Sequence, residues 1–258
     1  MRRELESLYE KYNSPRYAER DPVRFVHGYA SEDAEIAGLV AALLAYGSLP
    51  QILDSVADAL DRLGDSPRRT LIQASEDRLR TAADGFGHRF VDSAQFARLL
   101  NGLQHVLRRY GSLRECFLAH DDPDDETILA GLTGLAHELE DAGGGLDHLV
   151  ADPAKGSVCK RWHLFMRWMV RSDAVDPGLW TDVSPGRLIV PLDTHMWQIA
   201  RRFGFTERRS RDLPAALEVT EGFRAIRPDD PVRYDFALMH ASASEDAALE
   251  RCIEAAGN

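Results

Sequence analysis

Helical periodicity runs through almost the whole chain and leaves little sequence from which to build a sheet. Apolar residues recur every three to four positions in Leu5, Leu8, Tyr9 and Tyr12, and again in Phe96, Leu99, Leu100, Leu103, Val106 and Leu107. The punctuation agrees with the pattern. Ser31, with Glu32 and Asp33, opens an apolar helix from Ile36 to Tyr46 that stops at Gly47, and Pro50 starts another that runs to Leu63 and Gly64. Asp92-Ser93 opens a third, closed by Gly111. Two shorter patterns fill residues 67–81, and Leu113–Ala119 and Glu126–Leu139 follow. The one strand-like piece, Leu188-Ile189-Val190, is too short to found a sheet. The expected fold class is all-α, with a connection near Gly143-Gly144-Gly145.

Composition narrows the class of protein. With 44% apolar and 28% charged residues, the 258-residue chain reads as a soluble globular protein large enough to bury a proper core. No apolar run approaches a membrane span, and Met1-Arg2-Arg3-Glu4 leads into acidic helix, so a cytoplasmic protein is expected. Cys116, Cys159 and Cys252 lie far apart with no CxxC pair, which argues against disulfides and iron–sulfur clusters. No cofactor, membrane contact or obligate protein partner is expected.

The net charge of −11 argues against a general nucleic-acid binder, yet the charge is unevenly spread. Residues 155–211 carry 11 basic and 5 acidic side chains, a net of +6, between two acidic flanks. This middle region is either a solvated basic face or a patch that meets phosphate. Of 31 basic residues, only Lys11, Lys155 and Lys160 are lysine. Arginine cannot be deprotonated to act as a nucleophile, so a lysine at 160 is consistent with a need for an amine there.

Two helix starts stand out in this region. Asp152-Pro153-Ala154-Lys155-Gly156 forms a tight turn, with Ser157 as a candidate N-cap, and Lys160 heads the helical pattern that follows. One face of that helix carries Lys160, Leu164, Arg167 and Arg171, while Trp162, Phe165, Met166, Met169 and Val170 form a core face. A helix N-terminus disfavours a cation, a setting that suits a nucleophilic amine. Pro191-Leu192-Asp193-Thr194-His195 precedes a second helix, Met196 to Phe203, stopped by Gly204; Asp193 sits at its N-cap, a position that needs no function to explain it. His163, His195 and Asp193 match no metal motif.

Pro191-Leu192-Asp193-Thr194-His195-Met196-Trp197-Gln198-Ile199-Ala200 resembles the catalytic-aspartate segment of the 8-oxoguanine DNA glycosylases, within the helix-hairpin-helix glycosylase superfamily. Gly156-Ser157-Val158-Cys159-Lys160 resembles that superfamily's hairpin, with Lys160 where bifunctional members place the nucleophile. The usual Leu-Pro-Gly-Val-Gly turn is absent, and Val158 stands where glycine is common. The long separation of Lys160 from Asp193, holding Val175-Asp176-Pro177-Gly178-Leu179-Trp180, is closer to the archaeal 8-oxoguanine glycosylases. Arg167-Trp168-Met169-Val170-Arg171 and Asp230-Pro231-Val232-Arg233-Tyr234-Asp235-Phe236-Ala237-Leu238 are similar to a bacterial family of unassigned function.

The resemblance implies a single two-lobed helical domain over residues 1–258, with a cleft between the lobes and the hairpin and catalytic segment at about 152–204. It implies base excision repair: a flipped nucleotide in damaged duplex DNA, attack by the Lys160 amine as an oxidised base leaves, transition-state stabilisation by Asp193, and strand cleavage through a Schiff base. Gly156, Ser157, Arg161, His195, Arg201 and Arg202 are the implied phosphate contacts. Tyr46 is a candidate wedge, and Phe236 a candidate for the base pocket or for core packing. The rival reading is a non-catalytic helix-hairpin-helix module that binds nucleic acid or a nucleotide and cleaves nothing.

Overall fold

In a computed structural model, residues 1–146 and 148–256 are described, the side chain of Ser31 excepted. Fifteen α-helices dominate, and the described residues contain no β-strand, only isolated bridges at His88–Val91 and Ser172–Pro177. The chain is all-α. In order the helices are α1 (Arg2–Tyr12), α2 (Pro15–Ala18), α3 (Arg24–His27), α4 (Ser31–Leu43), α5 (Leu49–Asp61), α6 (Pro67–Gln73), α7 (Glu76–Ala83), α8 (Ser93–Tyr110), α9 (Leu113–Leu118), α10 (Leu129–Gly143), α11 (Lys160–Val170), α12 (Thr194–Arg202), α13 (Leu213–Ile226), α14 (Asp235–Ala243) and α15 (Ala247–Glu254). They form two compact units, one of residues 19–155 and one of residues 1–18 with 156–258. No described helix is long and apolar enough to cross a membrane.

In the unit of residues 19–155, α4 is apolar all round from Ile36 to Leu44 and is buried by α3, α5, α6 and α9. Helix α8 is amphipathic and lays Phe96, Leu99, Leu100, Leu103, Val106 and Leu107 against α6, α7, α9 and α10. A Cβ on Gly102 would lie 2.5 Å from the carbonyl oxygen of Leu139, so only glycine permits α8 and α10 to approach this closely. The expected helix from Glu126 begins instead at Leu129. The preceding acidic run folds as a turn, in which the Asp122 carboxylate accepts from the Asp124 amide at 3.0 Å. The triple glycine is a helix stop rather than a crossing between units. Gly143 ends α10, Gly144 and Gly145 take positive φ, and the chain remains in this unit until Lys155.

The other unit joins the two ends of the chain. Helix α1 packs on α14 and α15, with the Tyr234 hydroxyl donating to Glu6 at 2.7 Å and the Tyr12 hydroxyl to Asp246 at 2.8 Å. Helix α11 is the interior element: Trp162, Phe165, Met166, Trp168 and Met169 are all buried. Residues 188–192 run extended through the core without pairing as a strand, and the Val190 amide donates to Thr220 Oγ1 at 3.0 Å instead.

Candidate active site

The approach to α11 is a strained turn. Pro153–Lys155 form one 3-10 turn, Gly156 takes φ +75°, and its carbonyl accepts from the Leu213 amide at 3.1 Å. Ser157 is not the N-cap. That position falls to Cys159, held left-handed at φ 46° with no side-chain hydrogen bond to the helix. A left-handed non-glycine residue costs roughly 1–2 kcal/mol, and such strain gathers at functional sites. Lys160 follows as the first residue of α11, partly exposed, its ammonium group in no ion pair or hydrogen bond among the described residues.

Asp193 is the N-cap of α12, its Oδ1 accepting from the Met196 amide at 2.9 Å. The cap consumes one carboxylate oxygen and leaves Oδ2 without a hydrogen bond among the described residues.

The same unit holds a buried ion-pair network that sequence reading missed. The α11 face expected to be polar is inside the unit: Arg167 is 3% exposed and Arg171 4%. Arg167 bonds to Asp235, at the start of α14, and donates through Nε to Asp176 at 3.2 Å. Arg171 bonds to Asp176 and grips Asp230 through Nε at 2.9 Å and Nη2 at 3.0 Å, with Asp173 at 2.9 Å from its Nη1. Burial opposes charge on Arg171, but Asp176, Asp230 and Asp173 outweigh it and raise its pKa well above the ordinary value. Asp176, fully buried, is pushed up by desolvation despite its two arginines.

Asp235 links this network to the two helix starts. Burial pushes its carboxyl up to about 6 against the pull of Arg167; the negative charge of Asp193 adds to the rise, and the positive charge of Lys160 opposes it. His163, one turn beyond Lys160, is 1% exposed, and neither ring nitrogen finds a partner among the described residues. Desolvation alone lowers its pKa to about 3, so it is held neutral and no charged group acts on it.

The remaining candidates divide by location. Gly156 is exposed and Ser157 and Arg161 partly so, all at the start of α11. His195, Arg201 and Arg202 line a surface groove of about 530 Å³ with Trp197, Gln198 and Ser242. Arg201 stacks over Trp197, 4.9 Å from the ring centroid, whereas Arg202 is held by Glu250 at 2.9 and 2.5 Å. Phe236 is 6% exposed, 4.4 Å from the His240 ring, with Arg167 over its face; it packs in the core. Tyr46 belongs to the unit of residues 19–155, half-buried, its ring edge-on to His88 at 4.7 Å. The prominent aromatic near it is Phe90, 68% exposed, in a turn where Arg89 takes φ 53°.

A model of a family described as protein of unknown function (DUF2400) matches residues 21–244. The chain belongs to the DUF2400 family. No curated protein and no solved structure matches this member of the family. The matched range includes every candidate residue above, from Tyr46 to Phe236.

Proposed function

We propose that this DUF2400 protein is a bifunctional DNA glycosylase with AP lyase activity, acting on an oxidised base such as 8-oxoguanine. One observation carries the reading. An unpaired amine on the first residue of α11, Lys160, and a carboxylate with one uncommitted oxygen at the N-cap of α12, Asp193, stand at two helix starts of one compact unit. The resemblance of both helix starts to those of the helix-hairpin-helix glycosylases supports it, and with it a fold of that type.

The chemistry follows from the groups present. Lys160, as free amine, bonds to C1′ of a flipped nucleotide as the base departs, and the carboxylate of Asp193 stabilises the cationic sugar. Opening of the sugar gives the Schiff base, from which the 3′ phosphate is eliminated. The exposed Gly156 and partly exposed Ser157, with Arg161, His195 and Arg201, supply phosphate contacts. Arg202 contributes only by exchanging Glu250 for phosphate. The resemblance also implies Tyr46, in the unit of residues 19–155, as the candidate for filling the gap left by the flipped base.

The test is strand cleavage of duplex oligonucleotides carrying one 8-oxoguanine or one abasic site, with binding measured across a salt series. Cleavage at the lesion supports the enzyme. Salt-sensitive binding with no cleavage of either substrate favours the non-catalytic hairpin module.

A further inference from the structure

Resting on that reading for the class of substrate, though not for its covalent chemistry, we infer that the groove along α12 holds one unpaired nucleotide. Its base lies on the indole of Trp197 and its phosphate on Arg201 and Arg202.

Helix α12 is amphipathic. Met196, Ile199 and Ala200 are buried, while the outer face sets Trp197 one turn from Arg201 and Gln198 one turn from Arg202. With Ser242 near the end of α14 and Leu249 of α15, that face forms the groove of about 530 Å³, a size that suits one small ligand. The lining holds His195 and the two arginines and no carboxylate, in a chain whose net charge is −11. Arg201 makes no ion pair among the described residues, and its guanidinium rests over the indole, 4.9 Å from the ring centroid. Gln198 is exposed and Ser242 partly so, and neither side chain is committed to a hydrogen bond among the described residues.

Cations alone would take any anion. The indole narrows the class, because an aromatic face that accommodates a planar guanidinium also accommodates a planar base. When Arg201 swings onto the phosphate, that face is freed for the base, and Gln198 and Ser242 offer donors and acceptors to the base edge or the sugar. A base within a duplex already has both faces stacked, so the occupant is unpaired. Arg202 joins the phosphate site only by exchange. Glu250 holds it through two hydrogen bonds, but both side chains are half exposed, so a phosphate displaces the carboxylate at little cost.

The experiment is a tryptophan-fluorescence titration with tetrathymidylate, with thymidine 5′-monophosphate and inorganic phosphate beside it. Trp162, Trp168 and Trp180 are at most 1% exposed, so a base arriving from solvent reaches only Trp197. The expected result is quenching by tetrathymidylate that disappears in Trp197→Phe, although that variant still binds a labelled oligonucleotide. Trp197→Leu should weaken binding about 10-fold. Arg201→Gln should weaken it and reduce the salt slope by about 0.7, and Glu250→Gln, which frees Arg202, should tighten it about threefold. Equal affinity for the monophosphate assigns a free nucleotide as the occupant, and tighter binding of the oligonucleotide assigns a strand; both uphold the site. Undiminished binding by Trp197→Leu, or inorganic phosphate competing as well as the oligonucleotide with no quenching, overturns it. Cleavage of lesion duplexes by a wild type that shows no quenching overturns the groove and leaves the glycosylase reading intact. Quenching by a wild type that cleaves no lesion upholds the groove and overturns the glycosylase.

Discussion

Helices α11 and α12 belong to one unit, begin at the two candidate catalytic residues and carry two arginines each in or just beyond their later turns. Their charge is disposed in opposite ways. Arg167 and Arg171 are buried and gripped by Asp176, Asp230 and Asp235, whereas Arg201 and Arg202 stay at the surface, one on an indole and one on an exposed glutamate. The difference shows that the net positive charge of the middle region is not one basic face. Arg167 and Arg171 tie α11 to the buried acids around it, whereas Arg201 and Arg202 lie at the surface.

The comparison breaks most severely at Arg171. Its replacement by alanine strands Asp176 and Asp230 with one fewer cation, and breaking a buried pair in this way costs about 3–5 kcal/mol. Urea denaturation should show that loss. Arg202→Ala, by contrast, should change stability by no more than about 1 kcal/mol, because both partners in its pair are half exposed.

Next in size is the pH dependence carried by α11. His163 is neutral and buried, with a folded pKa of about 3 below its ordinary 6.5. Its contribution to stability is present in full above about 6.5 and is lost as pH falls toward 3, because the unfolded chain takes up the proton first. Between pH 6.5 and 4 this amounts to about 3 kcal/mol at roughly 1.4 kcal/mol per pH unit. His163→Leu should therefore flatten the acid fall in stability. Asp235 acts with the opposite sign, its raised pKa giving stability below about pH 4 that is lost as pH rises through about 6. The smallest effect separates structure from chemistry at the head of α12. Asp193→Ala should cost about 1 kcal/mol as a lost cap, while Asp193→Asn keeps the cap and loses only the carboxylate charge. Near-wild-type stability with lost cleavage is the expected outcome for Asp193→Asn.

Much of this was legible in the sequence where the signal was local. Asp92 and Asp193 cap the helices they precede, Gly111 and Gly204 close them, and Lys160 heads α11. Ser157 failed as a cap because the chain enters α11 through a left-handed residue rather than the extended one a serine cap requires. The buried network was invisible for a different reason. Asp173 and Asp176 follow closely in the chain, but Asp230 and Asp235 lie 59 and 68 residues from the arginines they pair with, and the spacing of a helix face says nothing about acids brought from so far. Burial of α1 against α14 and α15 is likewise a matter of tertiary packing between opposite ends of the chain.

Borohydride trapping on an abasic-site duplex, followed by mass mapping of the adduct, tests the central claim most directly. A covalent protein–DNA adduct located on Lys160, absent from Lys160→Ala while that variant remains folded and binds DNA, is the predicted result. Full adduct formation by Lys160→Ala, or DNA binding by wild type with no adduct, would contradict the amine mechanism.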